Sequence, residues 1–77
     1  MRTPIVLPDL GAATATLSLW FVEPGDHVYE GDRVVEVLLG GATFDVPAPA
    51  TGRLVDRRAL PNDALRPGQV LGEVEPE

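Results

Sequence analysis

Cysteine is missing from all 77 residues, so neither a disulfide nor a thiolate metal site can hold this chain together. Lysine is missing too. All 6 basic residues are arginine: Arg2, Arg33, Arg53, Arg57, Arg58 and Arg66. A single histidine, His27, leaves little from which to build a metal cage or a catalytic triad. Against the 6 basic residues stand 12 acidic ones, and a net charge of −6 gives no electrostatic footprint for nucleic acid. An anionic membrane surface would repel such a chain. No apolar run approaches the roughly 18 residues that a membrane-spanning helix needs. Near the N-terminus, Pro4, Pro8 and Asp9 interrupt any signal-peptide core, so a cytoplasmic location is expected.

What is present is ordinary globular material, with 44% hydrophobic and 23% charged residues. Residues 1–77 read as a single domain, one small enough to bury only about 60% of its unfolded surface. Glycine and proline, 8 of each, break the chain too often for long helices. In the stretch from Ala12 to Glu23, Thr14, Thr16 and Ser18 alternate with Ala13, Ala15, Leu17 and Leu19. That period of two marks a strand, with a bulge expected near Leu19-Trp20 where the inward parity must switch. Elsewhere short apolar runs alternate with turn signals, the pattern of an all-β sandwich or barrel.

The strongest strand signal is Arg33 to Leu39 followed by Ala42 to Val46, joined by Gly40-Gly41. A two-residue glycine connection suits a hairpin, and a type I′ turn is expected because glycine accepts positive φ at both central positions. Leu39 should then face Ala42, Val37 face Phe44 and Val35 face Val46 on an apolar side. On the other side Leu38 should face Thr43 and Glu36 face Asp45.

An internal repeat is also visible. Shifted by 37 positions, Pro24, Asp26, Val28, Gly31, Val34, Glu36 and Val37 fall on Pro61, Asp63, Leu65, Gly68, Leu71, Glu73 and Val74. Gly25 falls on Asn62, which also tolerates positive φ, and Leu17 falls on Leu54. Two half-repeats, about residues 5–40 and 41–75, are too few for a solenoid and imply one quasi-twofold domain.

The string Leu17-x-x-Trp20-x-Val22-x-Pro24-Gly25-Asp26-x-Val28-x-x-Gly31-Asp32, followed by Val35-Glu36-Val37, carries a family resemblance. It continues through Ala42-Thr43-Phe44-Asp45-Val46-Pro47-Ala48-Pro49-x-x-Gly52. These residues resemble the biotinyl/lipoyl domain family, most nearly the lipoyl domains of 2-oxo acid dehydrogenase acyltransferases. The resemblance covers roughly Ile5 to Val74. It implies an all-β fold: a flattened β-barrel (barrel-sandwich hybrid) of two four-stranded antiparallel sheets with quasi-twofold symmetry. It also implies a lysine at the tip of the central hairpin, within Asp-Lys-Ala, acylated by lipoate or biotin and swinging between active sites. Here the family's aspartate falls on Gly40 and its lysine on Gly41. The preceding Glu-Thr pair falls on Leu38 and Leu39.

An amide to either cofactor needs a side-chain amine, and arginine stays protonated and poorly nucleophilic. The expectation is therefore a non-enzymatic lipoyl-like domain without lipoate or biotin, serving as a structural or protein-interaction module. Subunits of a 2-oxo acid dehydrogenase complex are the expected partners, with a second copy of the chain as a further candidate. The interaction candidates are Leu38, Leu39, Gly40, Gly41 and Ala42. Leu39 is expected to tuck inward. The alternative is an altered or degenerate carrier domain. A third reading is a membrane-fusion adaptor, but there a long helical hairpin usually separates the halves.

No catalytic or metal-binding residue is expected. His27 beside Asp26 reads as a solvated turn histidine. Glu36 and Asp45 read as a solvated pair and Trp20 as packing. Arg57-Arg58 reads as a local basic spot among carboxylates. Gly25, Gly31, Gly52 and Gly68 read as turn geometry.

Overall fold

In the computed structural model, which describes residues 1–11 and 14–77, eight strands fold into two antiparallel sheets. They are β1 (Thr3–Val6), β2 (Ala15–Trp20), β3 (His27–Val28), β4 (Arg33–Leu39), β5 (Ala42–Pro47), β6 (Gly52–Arg57), β7 (Ala64–Leu65) and β8 (Val70–Pro76). One four-stranded sheet runs β1-β8-β6-β3 and the other β5-β4-β2-β7. The result is the expected flattened all-β barrel.

The 37-residue repeat is a structural fact, since β2, β3 and β4 become β6, β7 and β8 at that offset, end for end. Each sheet takes its two central strands from one half and its two edge strands from the other. The turns obey the same exchange. Gly25 and Asn62 both adopt positive φ, 98° and 75°. Their N–H groups donate to the carbonyls of Leu54 and Leu17, in the opposite half, at 2.7 and 2.8 Å. The carboxylates of Asp26 and Asp63 then accept from the N–H of Glu23 and Leu60 at 2.8 and 2.9 Å. Each turn is closed locally by its aspartate and held globally by a strand of the other half.

Inward alternation produces a wholly apolar core. Leu17 and Leu54, Val28 and Leu65, Val34 and Leu71, and Val37 and Val74 are four repeat-related pairs, all buried. No polar side chain is buried among the described residues.

Two details differ from the sequence reading. The strand expected from Ala12 begins at Ala15, and Ala12 and Ala13 lie outside the described residues. Its register shifts between Leu17 and Leu19, so the extra residue is Ser18, just before the expected position. The consequence is the parity switch itself: Leu17 points inward, Leu19 outward and Trp20 inward again. The same shift recurs between Leu54 and Asp56, at the repeat-related place.

Candidate functional site

The central hairpin has the register read from sequence. Leu39 pairs with Ala42, Leu38 with Thr43, Val37 with Phe44, Glu36 with Asp45 and Val35 with Val46. A further bulge between Arg33 and Val35 had no signal in the alternation. It places Val34 and Val35, adjacent in sequence, both in the core.

At the tip, Gly40 has φ of 60° and Gly41 does not have positive φ. Positive φ at the first central residue alone is the type II′ pattern, which corrects the expected type I′ turn. Both types match the right-handed twist of the strands, and glycine composition does not choose between them. The geometry matters for chemistry. A Cβ at either glycine would meet open space, and at position 41 the backbone would not strain an L-residue.

The five tip residues are not equivalent. Leu39 is half-buried and packs on the core, while Leu38, Gly40, Gly41 and Ala42 are exposed. Leu38 stands on the outer face between Thr43 of β5 and Thr16 of β2. Among the described residues the tip brings no titratable group of its own.

The remaining residues fall elsewhere. His27 lies in β3, edge-on to Tyr29 with ring centroids 4.8 Å apart, and contacts the Glu77 carboxylate. Asp26 is engaged by the Glu23 N–H rather than by His27. Glu36 and Asp45 oppose each other on the outer face, and Asp45 pairs with Arg33 at 3.7 Å. Arg58 bridges Asp56 and Glu73 at 3.4 and 3.1 Å, while Arg57 makes no ion pair among the described residues. An open hollow of about 650 Å³ is lined by residues including Arg2, His27, Arg53 and Glu75, and by none from Leu38 to Ala42.

Trp20 is half-buried, and its indole N–H donates to the Ala59 carbonyl at 2.9 Å. Its ring covers Gly72, where an added Cβ would stand 3.0 Å from Trp20 Cη2. Gly52 is a correction. It opens β6 without positive φ, and its missing side chain is required because Glu75 O passes directly over it. Close strand approach, rather than a turn, makes it glycine.

The family profile described as "Biotin-requiring enzyme", the biotin/lipoyl type, matches residues 3–75. The chain belongs to this family. It is 32% identical over 75 residues to the lipoamide acyltransferase component of the branched-chain alpha-keto acid dehydrogenase complex of Pseudomonas putida. That match covers 95% of this chain and 18% of the relative. Against the dihydrolipoyllysine-residue succinyltransferase component of the 2-oxoglutarate dehydrogenase complex of Bartonella vinsonii, it is 34% identical over 77 residues, 97% of this chain and 19% of the relative. The biotin/lipoyl chain therefore spans about a fifth of the length of these curated relatives. Among solved structures it is similar in fold to the lipoyl domain of the 2-oxoglutarate dehydrogenase complex from Azotobacter vinelandii. That comparison has a TM-score of 0.75 at 23% identity and covers 94% of each chain.

Proposed function

We propose that this lipoyl-type domain carries neither lipoate nor biotin, has no catalytic activity of its own, and works as a protein-interaction module within a 2-oxo acid dehydrogenase-type assembly. One observation carries the reading: a family hairpin whose tip is Gly40-Gly41, in a chain without a single lysine. Attachment of either cofactor requires a side-chain amine, so the residues present do not fit the group. The loss extends over the whole tip, because Leu38 and Leu39 stand where the family has Glu-Thr. Replacing a charged and a polar residue by two apolar ones suits a contact surface, since interface centres are depleted in charge.

The relatives' complexes supply the assembly, and Leu38 supplies the contact. Bait carrying the parent chain should retain identified subunits of a 2-oxo acid dehydrogenase complex from a lysate of the source organism. A Leu38→Glu bait should lose them. Equal retention by both baits, or retention of no such subunit by the parent, overturns this reading.

A further inference from the structure

The internal repeat provides a control that few surfaces have: the same backbone, built twice in one chain, with two different outer faces. On the β1-β8-β6-β3 sheet that face is charged and internally neutralised. Glu73 is bridged by Arg2 at 3.5 Å and Arg58 at 3.1 Å, Asp56 by Arg58 at 3.4 Å, and Glu75 by Arg2 at 3.7 Å. The positions 37 residues earlier, on the β5-β4-β2-β7 sheet, tell a different story. Asp56, Arg58 and Glu75 become Leu19, Phe21 and Leu38. These three large apolar side chains are 40%, 37% and 38% exposed.

Their placement is contiguous. Leu38 lies in one cross-strand row with Thr16 and Thr43, and Leu19 lies in the next row with Glu36 and Asp45. Phe21 continues beyond Leu19, with the Arg33 guanidinium 4.6 Å above its ring. Glu36 sits beside Leu19 on this surface. It is the repeat mate of Glu73, yet it forms no ion pair among the described residues. On one face Arg2 and Arg58 pair with Asp56, Glu73 and Glu75. On the other, Arg33 is taken up by Asp45 and Phe21, and Glu36 is left without a cation among the described residues.

We infer that the outer face formed by Leu19, Phe21, Leu38 and Glu36 is a docking surface for a protein that presents an arginine or lysine set among apolar side chains. Glu36 takes the partner's cation while Leu19 and Leu38 receive its apolar contacts. A second copy of this chain is the wrong occupant: each copy carries −6, and the arginine this face offers, Arg33, is already engaged by Asp45 and Phe21. An anionic lipid surface fails for the same reason. The inference rests on the reading of the domain as an interaction module and names the chemistry of its partner.

The test uses the full chain, ¹⁵N-labelled, titrated with a synthetic amphipathic peptide of leucine and arginine and with the same peptide carrying glutamate for arginine. Saturable binding of the arginine peptide is expected, with amide shifts centred on Leu19, Glu36 and Leu38. Leu19→Asp, which copies the residue at the repeat-related position, should weaken it about tenfold or more, as loss of a central contact does. Glu36→Gln, nearly isosteric and so safe for folding, should also weaken it. A tip variant outside the face, Ala42→Glu, should not. Shifts spread over the carboxylates of both sheets, equal binding of the glutamate peptide, or self-association through this face would each overturn the inference. Loss of binding in Ala42→Glu but not in Leu19→Asp would overturn the face while leaving the tip as the module's contact. Failure of the subunit capture described above would instead overturn the module reading itself.

Discussion

Two glycines and one tryptophan show how single residues decide where these strands can lie. Val35 is buried in the first half, but its repeat mate is Gly72, and the Trp20 ring takes the space above it. Trp20's own mate is Arg57. The pair Trp20 and Gly72 thus exchanges bulk between the two halves while keeping the core filled. Gly52→Ala should destabilise by about 1–3 kcal/mol or more, the cost of overpacking, because a Cβ there overlaps the backbone carbonyl of Glu75. Chemical denaturation would show it as a lowered midpoint. Trp20→Phe should cost about 1 kcal/mol or more through loss of the hydrogen bond to the Ala59 carbonyl. Sequence could count these glycines but not distinguish their reasons. Gly25 and Gly68 need positive φ, whereas Gly52 needs a neighbour's backbone close by, and only the folded pairing of β6 with β8 reveals that.

At the scale of elements, period-two alternation and turn chemistry made the hairpin register readable, because one slip would have turned Val35 and Val37 out to solvent. The bulges were less legible. A bulge at Ser18 explains why Leu19 is exposed although it continues the apolar alternation of Leu17. The bulge at Arg33–Val35 leaves two adjacent valines buried, which alternation alone forbids. The paired turns give a symmetric prediction. Asp26→Ala and Asp63→Ala each remove one carboxylate acceptor from a backbone N–H, so each should lower stability by a similar amount, about 1 kcal/mol. A large inequality between them in thermal unfolding would show that the two halves are not energetically equivalent.

For the whole molecule, the exchange of edge strands means that neither half has a complete sheet of its own. β2 and β4 are flanked by β7 and β5 from the second half, and β8 and β6 by β1 and β3 from the first. A fragment of residues 1–40 should therefore be unfolded by circular dichroism, and mixing it with residues 41–77 should recover β signal. The repeat and the family pattern made this architecture legible. The asymmetry of the two outer faces was not, since Leu19, Phe21 and Leu38 are scattered along the sequence and only strand pairing gathers them.

The functional claim depends on what the hairpin tip lacks, and the intact mass of the protein tests it most directly. The parent chain and a Gly41→Lys variant, whose side chain has room and an unstrained backbone at that position, are each co-expressed with a lipoyl ligase and with a biotin ligase. The parent is expected to keep the mass of its sequence under every condition, with any gain confined to the lysine variant. Addition of a lipoyl or biotinyl group to the parent would contradict the account.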